Sequence, residues 1–176
     1  MGWVLLALRK TELIRAHADY QYEELCISRE QRQMSRRYQY EQTLVRNDQA
    51  SELRSLKSDY DEAKQNIYDN MNALKEAASE NDENTSTYTD GNNKSLSDYQ
   101  NELNDLKADY ENDVNEAKTY WEDELAFIEQ EASETETMYE EEKVQAETQM
   151  EAISQELQAV GQAISSEIQN CTINLS

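Results

Sequence analysis

The 176-residue chain has no proline and only three glycines. Average usage would supply about nine prolines and about twelve glycines in a chain this long. Without proline nothing breaks a helix from within, and with so little glycine few positions are free to make tight turns. The chain is also poor in bulky apolar side chains. Leu, Ile, Val and Phe together number 29, with a single phenylalanine, and the net charge is −22. Such a composition excludes a conventional globule, because it cannot fill a core of that size.

Other absences narrow the chemistry. One histidine, His17, rules out a histidine triad or a multi-histidine metal site within one chain, and its arginine-rich setting predicts a surface position. Cys26 and Cys171 stand far apart and form no CxxC pair. No phosphate-binding glycine loop or nucleophile elbow occurs. The sequence therefore predicts no enzyme and no cofactor. With 38 acidic against 16 basic residues, nucleic acid is not an expected partner. Asp82, Glu83 and Asp90 lack the ligand order of an EF-hand and would hold a divalent cation only loosely. The sequons at Asn84, Asn93, Asn170 and Asn174 are accounted for by the abundance of Asn, Ser and Thr.

Long hydrophobic runs are missing too. Trp3-Val4-Leu5-Leu6-Ala7-Leu8 runs straight into Arg9-Lys10 and is too short for a signal-peptide core or a membrane span. The location expected is an extracellular filament reached by a route that cleaves no such signal, or the cytoplasm.

What the chain does have is a period. Apolar residues fall at Leu53, Leu56, Tyr60, Ala63, Ile67, Met71, Leu74 and Ala78, a mean step of about 3.6 residues, which predicts a helix. The rhythm resumes from Leu96 through Tyr99, Leu103, Leu106, Tyr110, Val114, Ala117, Trp121, Leu125, Ile128 and Ala132. It continues at Tyr139, Ala146, Met150, Ile153, Leu157, Val160, Ile164, Ile168 and Cys171. The spacing from Tyr110 to Trp121 repeats from Trp121 to Ala132, an eleven-residue period that favours straight packing over a left-handed supercoil. A narrow stripe of this kind needs few apolar residues, which reconciles the composition with order.

One interruption, residues 81–94, is built from turn formers and includes Asp90-Gly91. Ser95 followed by Asp98 reads as a capping box that opens the second helix. The expected fold is all-α: a long, elongated antiparallel helical hairpin, coiled-coil-like and without a globular core. Residues 1–80 form the first arm, 81–94 a polar tip loop, and 95–176 the second arm. LKSDY at 56–60 recurs as LKADY at 106–110, an echo between the arms.

Charge is divided between the arms. Residues 1–50 are net +1, residues 101–150 net −14, and all eight arginines lie at or before Arg54. In a hairpin of equal arms, facing positions sum to about 177. The cluster Arg29, Arg32, Arg36 and Arg37 then opposes Glu140, Glu141, Glu142 and Glu147. Two solvated faces would carry the same residues, but opposition in register favours pairing, within the chain or between copies.

Apolar surface remains at the ends. Trp3, Val4, Leu5, Leu6 and Leu8 are apolar all round a helix, more than one partner helix covers. They lie beside Ile164, Ile168, Ile173 and Leu175 in the hairpin, so both apolar termini meet at one end. Arg9, Lys10 and Arg15 would suit a membrane surface, but the acidic chain as a whole opposes anionic lipid, which favours burial against protein. This layout is similar in plan to flagellin-like and type III secretion filament subunits, whose terminal helices pack in the filament core. The similarity is architectural, with no shared motif. The expected function is a structural subunit that self-assembles through its apolar ends into a filament or tube, its partner being itself. The alternative is a coiled-coil adaptor or stalk docking on a secretion or phage assembly.

Overall fold

The computed structural model describes residues 2–81 and 84–173, with side chains through Asn170. Two helices, α1 (Gly2–Glu80) and α2 (Leu96–Ile173), pack antiparallel as an elongated helical hairpin with few buried residues. The chain divides into two compact units, residues 1–39 with 129–176, and residues 40–128.

In the unit 40–128, every α1 residue of the periodic stripe from Leu53 to Ala78 is buried or half-buried, as is every α2 stripe residue from Leu96 to Ile128. The best-packed part lies nearest the tip. Ile67, Met71, Leu74 and Tyr99 form a buried cluster against which Tyr88, Leu96, Leu103 and Leu106 pack. Further along, Tyr60 stacks on Tyr110 with ring centroids 4.4 Å apart, so the tyrosines of the two LK-[SA]-DY copies meet across the hairpin. The Trp121 indole N–H donates to the Glu52 carboxylate.

The tip is folded rather than a simple polar loop. Asp90 is its keystone: one carboxylate oxygen accepts the backbone N–H groups of Asn92 and Lys94 at 2.8 and 2.9 Å, and the other accepts the Tyr99 hydroxyl at 2.6 Å. Asn93 takes the left-handed backbone (φ 60°) that closes this turn, a conformation Asn tolerates better than most residues. The Lys94 ammonium sits 5.2 Å from the Tyr99 ring centroid and pairs with Glu102 at 2.7 Å. At the start of α2 the capping box is complete. Ser95 donates its backbone N–H to Asp98 at 2.7 Å, and Asp98 donates its N–H back to the Ser95 hydroxyl at 3.3 Å. Asp90 is thus occupied by hydrogen bonds instead of being available to a cation, while Asp82 and Glu83 lie outside the described residues.

In the unit 1–39 with 129–176, Leu13, Ile27, Ala146 and Val160 are buried. The α2 stripe continues through Ile164, with Thr135 and Lys143 filling the two gaps in the apolar rhythm. Thr135 earns its place by a 3.0 Å hydroxyl–hydroxyl bond with Tyr38. The facing α1 stripe includes Glu24, Gln31 and Met34, and His17 is half-buried rather than on the surface as expected. Tyr139 holds its phenol proton more tightly than an ordinary tyrosine, first through burial and then through the nearby carboxylates of Glu30 and Glu142.

The register departs from the equal-arm estimate. Arg9 meets Glu156, Tyr38 meets Thr135, and Tyr60 meets Tyr110, so these facing positions sum to 165–173 and not to 177. The equal-arm estimate assumes a symmetric loop. The tip core instead places Tyr99 among Ile67, Met71 and Leu74, which draws α2 toward lower-numbered α1 residues.

Leu74 is 2% exposed whereas Leu44 is 42% exposed. Leu74→Ala should therefore cost about 2–4 kcal/mol in urea unfolding, and Leu44→Ala about 0.5 kcal/mol or less. Tyr99 has its ionisation pushed up to about 12, chiefly by its bond to Asp90 and then by burial. A raised folded value means that the stabilisation is complete below the unfolded tyrosine value of about 10 and is lost as pH rises through the folded value. Unfolding curves between pH 9 and pH 12 should show a larger loss in the native protein than in Tyr99→Phe, which keeps the smaller loss from Tyr139. Asp90 and Asp98 are held below the ordinary carboxylate value, Asp90 chiefly by Tyr99 and Asp98 chiefly by Ser95, so their contributions are full above pH ~4 and fade below it.

Candidate functional site

A hairpin of two helices leaves one broad face of each helix uncovered, and the candidate site is what lies there. At the start of α1, Trp3, Val4, Leu5 and Leu8 are exposed, with Leu5 at 68%, while Leu6 is half-buried. On α2, Ile164 is half-buried and Ile168 is exposed. Ile173 ends α2, and its side chain, like the whole of Leu175, lies outside the described residues. The Glu167 carboxylate sits over the first turn of α1, where a β-carbon on Gly2 would come within 2.9 Å of both its oxygens. This places a negative charge at the positive end of the helix, which has no acidic residue in its own first turn.

Apolar exposure is not confined to that end, contrary to the expectation from the sequence. In the same unit Ile14, Tyr22, Leu25, Met138 and Val144 are exposed, and in the unit 40–128 so are Tyr40, Leu44, Tyr68, Tyr120 and Phe127. On the first part of α1 this exposure forms a second apolar face. At about 100° per residue, Leu13, Tyr20, Ile27, Gln31 and Tyr38 share the side turned to α2. Val4, Leu8, Ile14, Tyr22 and Leu25 cluster on the opposite side. Polar Glu24 and Gln31 occupy inward positions while these residues face solvent.

The predicted charge cluster lies on the same outward side. Arg29, Arg32 and Arg36 are exposed, and Arg32 donates from Nε to the Ser28 carbonyl at 3.0 Å. Glu140, Glu141 and Glu147 are exposed on the outward side of α2, Glu147 lying 3.9 Å from Lys143 one turn away. Glu142 and Tyr20 line an open groove of about 680 Å³ with Ile27 and Ala146. Among the described residues no ion pair joins Arg29, Arg32 or Arg36 to Glu140, Glu141, Glu142 or Glu147. Arg37 is exposed as well. A cross-helix ion pair in this unit joins the exposed Arg9 to Glu156 at 2.9 Å, and it holds the Arg9 proton more tightly than usual.

Cys26 is a half-buried free thiol on α1, and its bond with Tyr22 raises the Tyr22 ionisation above its ordinary value. Among the described residues no helix is long and apolar enough to cross a membrane, and no cluster of His, Cys, Asp or Glu has the makings of a metal site. No protein-family model, curated protein or solved structure matches this chain.

Because Arg29, Arg32 and Arg36 project away from α2, the triple variant Arg29→Gln/Arg32→Gln/Arg36→Gln should unfold within about 0.5 kcal/mol of the native protein in dilute solution. A large loss in that measurement would restore the intrachain pairing that the sequence suggested.

Proposed function

We propose that this chain is a structural subunit that associates with copies of itself, in a filament or tube, and performs no catalysis. The observation that carries this reading is large apolar side chains left exposed after the hairpin has formed, from Trp3, Val4, Leu5 and Leu8 through Ile14, Tyr22 and Leu25 to Ile168. Scattered exposed apolar residues are ordinary, but exposed apolar residues gathered on one side of α1, as Val4, Leu8, Ile14, Tyr22 and Leu25 are, mark a surface for protein contact. Burial between molecules is worth about 1.5–3 kcal/mol for each such side chain at most, so a handful suffices for association.

The hairpin form supports the same reading. Its grooves are shallow and open, and enzymatic chemistry needs a concave, water-excluding site. The apolar end, with Trp3, Val4, Leu5 and Leu6 beside Ile164 and Ile168, is one contact region in this proposal, and the outward side of α1 extends it.

Sedimentation velocity over a range of concentrations at physiological salt tests the proposal. The native protein should form species that grow with concentration, and deletion of residues 2–8 should raise the association midpoint at least about tenfold while leaving helical circular dichroism largely intact. A single monomeric boundary at high concentration would overturn it. Finite complexes formed only with a different protein would support the adaptor alternative instead.

A further inference from the structure

The outward sides of the two helices in the unit 1–39 with 129–176 differ in a way that the net charge conceals. The positions of α1 that point away from α2 can be followed from Trp3 to Gln39 at about 100° per residue. Along the middle of this side lie three exposed arginines, Arg15, Arg29 and Arg36, and no acidic residue, while the exposed Arg32 and Asp19 stand on its two flanks, each about 70° from the centre. The arginines flank the exposed Ile14, Tyr22 and Leu25. The other acidic residues of the same stretch, Glu12, Glu23, Glu24 and Glu30, fall further round the helix.

The corresponding side of α2 has the opposite character. From Glu129 onward it carries Glu134, Glu140, Glu141 and Glu151, with Glu129 and Glu147 at its border, all exposed, and no basic residue. Near the middle of this side stands Val144, 59% exposed. Lys143, the basic residue of this part of α2, is half-buried on the side turned to α1. A protein of net −22 has thus gathered a cationic face with one aspartate at its edge and an anionic face free of bases on opposite outer sides of one hairpin unit.

We propose that the outward face of α1 receives the outward face of α2 of a second copy, so that hairpins pack side by side in a head-to-tail sense. This rests on the self-association proposed above and specifies its interface. The two faces are complementary in charge. The acidic face of α2 on their own chain points away from Arg15, Arg29, Arg32 and Arg36, and beyond Glu12 and Asp19 beside Arg15 a row of carboxylates comes to them from a neighbour. The apolar Tyr22 and Leu25 lie among them, as Val144 lies among the glutamates. Like faces brought together would set arginine against arginine or glutamate against glutamate, so a symmetric contact through either face is opposed. The contact joins two different faces, each copy offers one of each, and such heterologous interfaces continue as rings or open filaments.

An anionic membrane is the competing occupant of an arginine- and tyrosine-bearing helix face. It is disfavoured because the same unit presents its row of glutamates on α2, and the whole chain is strongly acidic.

The test uses two full-length charge-reversed variants. In the first, Arg15, Arg29, Arg32 and Arg36 are changed to Glu. In the second, Glu134, Glu140, Glu141 and Glu147 are changed to Lys. Circular dichroism verifies that each remains helical, and a milder Arg→Gln version of the first serves if the reversal unfolds the chain. Alone, each reversed variant should require on the order of a hundredfold higher concentration to associate than the native protein, and the Arg→Gln version on the order of tenfold. Native association should weaken as salt is raised from 0.05 to 0.5 M, estimated from the screening of exposed charges over roughly 10 Å at 0.1 M. Mixed one to one, the reversed variants should associate again, because every α1 face then meets an α2 face of opposite sign.

If the native protein associates and the reversed variants do so equally well, or their mixture stays dissociated, this interface is wrong while self-association stands. If the native protein is monomeric at all concentrations, both fail. If it remains monomeric yet binds vesicles of phosphatidylcholine and phosphatidylserine through the same arginines, the occupant is a membrane and the proposal is overturned.

Discussion

Two helices in contact cover only one side of each other, and this geometric limit governs the molecule. It explains how a chain with few bulky apolar residues and a net charge of −22 is ordered. A single stripe per helix is all that must be apolar, and that stripe is supplied in steps of three and four residues. The same limit explains why burial is shallow. Leu74 at 2% exposure is among the most enclosed side chains, and tyrosines such as Tyr60 and Tyr110 meet across the helices with their rings stacked. A phenol suits such a place because its ring covers apolar surface while its hydroxyl reaches water or a polar partner.

The tip compensates for the thinness of the contact. Joining two long helices requires the chain to reverse direction without proline and with one glycine in the turn, Gly91. The reversal is achieved by side chains acting as backbone partners. Asp90 gathers two N–H groups and the Tyr99 hydroxyl, and Ser95 and Asp98 cap α2 reciprocally. Because Tyr99 is also part of the cluster with Ile67, Met71 and Leu74, the polar turn and the apolar stripe fix the same register. A slip of α2 along α1 would break the Asp90 bond and the core contact together.

Much of this was legible in the sequence. The stripe positions from Leu53 to Ala78 and from Leu96 to Ile164 all turn inward, and the capping box stands where Ser95 and Asp98 predicted it. The first 50 residues were illegible for a physical reason. Their inward positions include Glu24 and Gln31, and their outward positions include Tyr22 and Leu25, so apolar residues fall on two sides and no single period emerges. The arginine and glutamate blocks were visible as composition, but pairing them within the chain required a facing that a charge count does not contain. Eighteen residues of an α-helix return to nearly the same side in about five turns. Projected in that way, Arg29, Arg32 and Arg36 fall on the side of Tyr22, away from α2. The keystone at Asp90 was hidden because Asp-Gly-Asn-Asn marks a turn without revealing which side chain closes it.

In the proposed interface, the outward face of α1 rests on α2 of another copy. A photoreactive amino acid placed at position 22, in an equal mixture of ordinary and nitrogen-15-labelled protein, tests it most directly. After illumination, mass spectrometry identifies which cross-links join two different copies and where they land. The account predicts intermolecular links from position 22 to residues 134–151 of α2. Links to α1 of the neighbour, or no intermolecular links at concentrations where the protein associates, would contradict it.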